Sequence, residues 1–253
     1  YNMKIAICLY GQPRDYKYGY TCISNFIKNN NEHLYDIFFH CWIDDNIKYE
    51  KSPWRQIDEK VLFIKNQDIV KNDINLLYNP LSYLYEKPLD KNKMSNLIEF
   101  IRKSKAYLNS DKSKQNNIYN TLSQIYSRNK VKDLFDNYII DTKTNYDLVI
   151  STRFDGWDFP NKLDISNIQK KYVYNMPIHK PRYLMADNFL ICPPEIYIKW
   201  FNIYKNINSL INNEKLELEM NNINENLEFN MEEILLANYL FCGYNPNNIK
   251  YIY

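Results

Sequence analysis

Four short apolar runs most constrain the fold: Lys4 to Tyr10, Asp36 to Ile43, Lys60 to Ile64 and Leu148 to Ile150. A strand without regular polar alternation is covered on both faces, which is the pattern of a parallel sheet with helices above and below. Strand–helix–strand order at these spacings makes the chain α/β with parallel neighbours. The runs also end alike. Leu148 to Ile150 leads into Arg153, Asp155 and Gly156, and Ile5 to Leu9 leads into Gly11 with Arg14 close behind. With only four glycines in the chain, two at strand ends imply a backbone that needs positive φ or close approach by a ligand. A binding cleft at the strand ends is the leading reading.

The rest of the chain reads as the cover of that sheet. Cys22 to Lys28 has helical spacing, and about 66–138 is mainly helical, with a polar break at Asp111 to Asn117. Tyr172 to Tyr174 and Asn188 to Cys192 read as further strands, separated by a basic, proline-containing loop from Met176 to Arg182. Glu195 to Ile211 reads as one amphipathic helix and Met231 to Phe241 as a last helix stopped by Gly243. Asn212 to Asn230, rich in Asn and Glu, reads as a solvated surface loop, with a lid over the cleft as the alternative. No internal repeat or linker divides residues 1–253, so a single domain with a helical insertion in its middle is expected.

Composition removes several functions. A net charge of +2 gives no electrostatic case for nucleic acid or an anionic membrane. Five scattered cysteines without a C-x-x-C pair argue against a zinc site or disulfide framework and for a reducing, cytoplasmic setting. No apolar run approaches the roughly 18–20 residues of a membrane span, and no signal peptide is in view. The abundance of Asn, Lys, Ile and Tyr is read as nucleotide bias in an AT-rich genome. G-x-G-x-x-G, G-x-x-x-x-G-K-[ST] and G-x-S-x-G motifs are missing, and three histidines are too few for a histidine-rich metal site.

What is left is arginine plus carboxylate at strand ends. Asp155 is the type of ligand that suits Mg²⁺ or Mn²⁺, and Arg14 and Arg153 suit a diphosphate. Together they fit an enzyme from which a nucleoside diphosphate departs, with positive charge stabilising the leaving phosphate. Each residue has a plainer alternative: a turn residue for Asp155, a solvated charge for Arg14, a strand opener for Asp187. His40, inside an apolar strand, reads as a satisfied core histidine. His179 divides between exposed loop residue and phosphate contact; Asp158 leans towards a turn, and Glu232 towards a first-turn helix acid.

Six segments, in order, then resemble one family. They are Ile5 to Arg14, Tyr35 to Trp42, Ser123-Gln124-Ile125-Tyr126-Ser127, Thr152 to Asp155, Asp187-Asn188-Phe189 and Met231 to Leu236. This set is similar to GT-A-fold glycosyltransferases that build bacterial surface polysaccharides and the glycans of large DNA viruses. The resemblance implies a Rossmann-like, mixed but mainly parallel sheet flanked by helices. It further implies a UDP-, GDP- or dTDP-linked sugar donor and a glycan or other hydroxyl acceptor. By position, Tyr10, Gly11, Gln12 and Arg14 would line the nucleotide pocket, and Ser123, Gln124 and Arg128 would face the donor from their helix. Asp155 would be the second aspartate of a D-x-D motif and hold Mn²⁺ or Mg²⁺. Arg153 stands where the first aspartate belongs, which opens an arginine-assisted site. Asp187 would lie near the acceptor and, in an inverting enzyme, take its proton. Two other readings stand beside this one. One is a nucleotidyltransferase or phosphohydrolase with an Asp-bound cation, the other a non-catalytic nucleotide- or glycan-binding module.

Overall fold

The computed structural model describes residues 2–44, 48–49, 62–63, 66–110, 118–156, 159–160, 163–176 and 185–252. Its centre is a seven-stranded sheet in the order β5-β2-β1-β6-β8-β7-β9. Strands β1 (Lys4–Gly11), β2 (Leu34–Trp42), β5 (Ser82–Glu86) and β6 (Leu148–Arg153) run parallel. Strand β8 (Phe189–Cys192) is antiparallel to β6 and to β7 (Val173–Asn175), and β9 (Ile249–Tyr251) closes the edge parallel to β7. The chain is therefore α/β, with a mainly parallel sheet covered by helices.

The two-residue period of the strands sorts the core into two layers. Ile5, Ile7, Leu9, Phe39, Cys41, Leu148 and Ile150 pack with α1 (Tyr16–Asn29) and α2 (Gln67–Tyr78) on one face. Ala6, Cys8, Tyr10, Phe38 and Val149 point to the other. There they meet the long helix α5 (Ile118–Thr142) and the C-terminal helices α6 (Pro194–Trp200), α7 (Ile203–Leu210) and α9 (Met231–Phe241). All of β1 between its ends is buried, as its unbroken apolar run requires. No helix among the described residues is long and apolar enough to cross a membrane.

Four readings of the sequence change. The run at Lys60 to Ile64 is not a strand of the main sheet: β4 (Leu62–Phe63) pairs with β3 (Lys48–Tyr49) in a separate antiparallel ribbon. The middle is mainly helical, with α2, α3 (Ser95–Arg102), α4 (Lys105–Asn109) and α5, yet it also supplies the edge strand β5. The helix expected over Glu195 to Ile211 breaks between Trp200 and Ile203, because the Asn238 amide takes the Trp200 carbonyl and ends the ladder there. Finally, 212–230 is no solvated loop. Asn213 caps α8 (Glu214–Asn221) through the Leu216 amide, and Leu216, Met220, Leu227 and Phe229 are buried. The Asn-rich composition that reads as loop includes helix caps. The break expected at Asp111 to Asn117 and the loop beyond Met176 lie outside the described residues.

Candidate functional site at the carboxyl ends of β1 and β6

Strand β1 has β2 on one side and β6 on the other, so the chain leaves the sheet centre in opposite directions. In open α/β sheets the crevice outside such a switch point is where ligands bind. Tyr10 and Arg153 face each other there in register, and Tyr10 pairs with His40 on the other flank. The turns that follow β1 and β6 carry Gly11 to Asp15 and Phe154 to Gly156.

Tyr10 is the centre of the cluster. Its hydroxyl accepts a hydrogen bond from Arg128 Nη2 and donates to the Asp187 backbone carbonyl. The Arg128 guanidinium lies 3.9 Å from the centre of the Tyr10 ring and 5.6 Å from that of Phe201. Burial pushes the Tyr10 phenol well above its ordinary range, against the opposing pull of Arg128, so it stays protonated. Arg128 is itself fully buried, and among the described residues its Nε and Nη1 donors have no hydrogen-bond partner. A buried guanidinium left in that state is costly, by several kcal/mol. Helical spacing sets Gln124 one turn before Arg128 on the same face of α5, and Gln124 Oε1 is likewise buried without a partner.

Arg153 and Asp155 form a two-pronged ion pair, with Nε 3.3 Å from Oδ1 and Nη2 3.1 Å from Oδ2. Both oxygens of the expected metal ligand thus already face a guanidinium. No group of three His, Cys, Asp or Glu side chains that could hold a metal occurs among the described residues. These residues do not build a cage for a divalent cation. An ion here would take most of its ligands from phosphate and water.

The glycines behave differently from each other. Gly11 has φ +100°, and a side chain built on it would meet nothing within 4 Å. Gly156 has φ +54° and is crowded, but by protein: a Cβ there would come within 2.5 Å of the Gly19 Cα. The close approach expected of a ligand at Gly156 is made by helix α1. In the turn after β1, the Arg14 amide and side chain reach the Gln12 carbonyl and Oε1, each at 2.8 Å. Ser123 lies on α5 a turn before Ser127. Asp158 and His179 fall outside the described residues.

Sequence reasoning did not single out Ser127 or Glu86. Ser127 Oγ accepts the Gly11 N–H at 2.8 Å and sits 2.7 Å from His40 Nδ1, while His40 Nε2 sits 2.9 Å from Glu86 Oε2. His40 is a buried and satisfied histidine, as its apolar strand implied. Two surface cavities, of about 570 and 320 Å³, are lined by other residues, from Lys199 to Pro246. Tyr10 and Arg128 are buried, while Arg153 and Asp187 beside them are partly exposed.

No protein-family model matches this sequence, and no curated protein matches it. Among solved structures it is similar to mouse xyloside xylosyltransferase 1 in its apo form. That match covers 100% of this chain and 85% of that one, with 6% identity and a TM-score of 0.39. So distant a likeness carries no weight for the chemistry of this chain.

Proposed function

We propose that the chain is a glycosyltransferase that binds a nucleoside-diphosphate sugar at the β1–β6 switch point and passes the sugar to a hydroxyl acceptor. The observation that carries this reading is Arg128, fully buried with two donors unpartnered among the described residues and bonded to the hydroxyl of Tyr10, which is paired in register with Arg153. Arginine donors around a dry, preformed position suit a diphosphate, whose negative charge grows as the sugar leaves. Tyr10, Gly11, Gln12, Arg14, Ser123 and Gln124 would complete the donor pocket. Tyr10 and Arg128 are buried, so a donor reaches them only once some covering group has moved. Charge neutralisation falls mainly to arginine. Among the described residues, a Mn²⁺ or Mg²⁺ ion would have Asp155 as its protein ligand, and only after that carboxylate parts from Arg153. Asp187, which borders Tyr10, would serve as acceptor-side base.

Incubation with UDP-, GDP- and dTDP-sugars, with Mn²⁺ or with EDTA, tests this directly. Release of nucleoside diphosphate, as transfer or slow hydrolysis, is the expected result. Release of pyrophosphate would replace this reading with a nucleotidyltransferase. The paired state of Asp155 favours a second reading, a non-catalytic binding module, and any turnover dismisses it. Asp187→Asn should keep donor affinity and slow transfer by roughly a hundredfold or more. Loss of donor affinity in that variant would move Asp187 to the nucleotide side.

A further inference from the structure

Glu86, His40 and Ser127, which the proposed chemistry does not use, form an unbroken polar chain to Gly11. It runs from the end of β5 through β2 and α5 to the turn after β1, in links of 2.9, 2.7 and 2.8 Å. His40 and Ser127 are fully buried, whereas the Glu86 side chain at one end is 30% exposed and Gly11 at the other is partly exposed. One proton arrangement satisfies every link. The Glu86 carboxylate accepts, so Nε2 of His40 carries the hydrogen. Burial holds the imidazole neutral, so Nδ1 accepts from the Ser127 hydroxyl. Ser127 Oγ is then free to accept the Gly11 N–H. A Glu–His–Ser series also occurs in nucleophilic catalysis, but here Ser127 is sealed from any substrate and its oxygen is taken by Gly11.

We infer that Glu86, His40 and Ser127 are positioning residues: they hold the Gly11 peptide, and through it the Gln12 to Arg14 turn, in the geometry that a nucleoside diphosphate meets. This rests on the reading of that turn as part of the donor pocket. Gly11, at φ +100°, needs such a hold because glycine has many other backbone conformations open to it. The relay also passes through Ser127, one residue from Arg128, so a single turn of α5 would set both the buried cation and the turn opposite it.

The test combines calorimetry with UDP, GDP and dTDP, amide exchange at Gly11, and ¹⁵N spectra of the His40 ring. Ser127→Ala should weaken the best-bound diphosphate about tenfold, the worth of one buried hydrogen bond. It should also speed Gly11 exchange, and Ser127→Thr should restore both. Wild-type affinity in Ser127→Ala, or a His40 ring protonated on Nδ1 rather than Nε2, overturns the relay. Should Ser127→Ala not fold, Glu86→Gln decides: it keeps the shape, and should lower the His40 titration and loosen Gly11. If neither changes, the relay is wrong. A wild-type chain that binds none of the three diphosphates defeats the donor reading instead. The relay is then judged on exchange alone, upheld by faster Gly11 exchange in Ser127→Ala and overturned by unchanged protection.

Discussion

Arg128 shows how one residue can be a burden to folding and an asset to binding. Replacing a buried, incompletely paired charge by an apolar side chain of similar length is often neutral or stabilising, by about 1–4 kcal/mol. Arg128→Met should therefore melt no lower than the wild type while losing at least tenfold in nucleoside diphosphate affinity. Thermal melting with and without UDP, GDP and dTDP separates the two effects. A variant that melts much lower yet binds normally would make Arg128 a packing residue. Asp155 predicts an opposite sign. Its carboxylate competes with any phosphate for Arg153 across contacts of 3.1 and 3.3 Å. In EDTA, Asp155→Asn should bind nucleoside diphosphate a few-fold more tightly, whereas sugar turnover should fall. Unchanged affinity would mean that Arg153 does not reach the phosphates.

At the level of elements, the site depends on how closely helix α1 crosses the end of β6. A Cβ on Gly19 would lie 1.8 Å from the Phe154 carbonyl oxygen, which is backbone and cannot swing aside. Gly19→Ala should cost about 3 kcal/mol or more by overpacking. Gly11→Ala strains a positive φ but meets open space, and should cost about 1–2 kcal/mol. Urea unfolding of both variants checks the ranking, and equal costs would refute it. Gly19 illustrates what the sequence conceals: nothing local distinguishes it from a residue that merely weakens a helix. The strands flanking the site, by contrast, are legible because burial on both faces leaves an unbroken apolar run. Strand β5 was not legible, since Ser82 to Glu86 is an edge strand with partly exposed residues and lacks that run. Helix α5 buries Ser127, Arg128, Asn129 and Lys132 alongside its apolar residues, so its inward face does not look like a core face. Tyr10, Arg153 and Asp155 could be placed at strand ends from the sequence. The pairing of Tyr10 with Arg153, and the partners of His40, depend on register between distant segments and could not.

Across the whole molecule, the buried polar chain couples folding to pH. His40 titrates below its ordinary 6.5, chiefly because burial penalises the imidazolium, with Lys130 adding to this and Glu86 opposing it. Protonation thus favours the unfolded chain. The His40 contribution is intact above pH 6.5 and is lost as pH falls from there towards its lower folded value. Glu86, held below its ordinary 4.5 mainly by the His40 hydrogen bond, contributes above pH 4.5 and loses its share only at more acid pH. Melting temperature should therefore decline between pH 6.5 and 5.5 in the wild type and decline less in His40→Gln. An equal decline in both assigns the effect to other groups. The sheet order has a different consequence, in the time the chain takes to be made. Strand β1 finds its first partner, β2, within 30 residues, but the other, β6, begins at Leu148, more than 140 residues after β1 starts. During synthesis at about 5–20 residues per second, one flank of this apolar strand waits several seconds or more as an open edge. The nascent chain should be most prone to aggregate, and most in need of a holding chaperone, at lengths just short of β6.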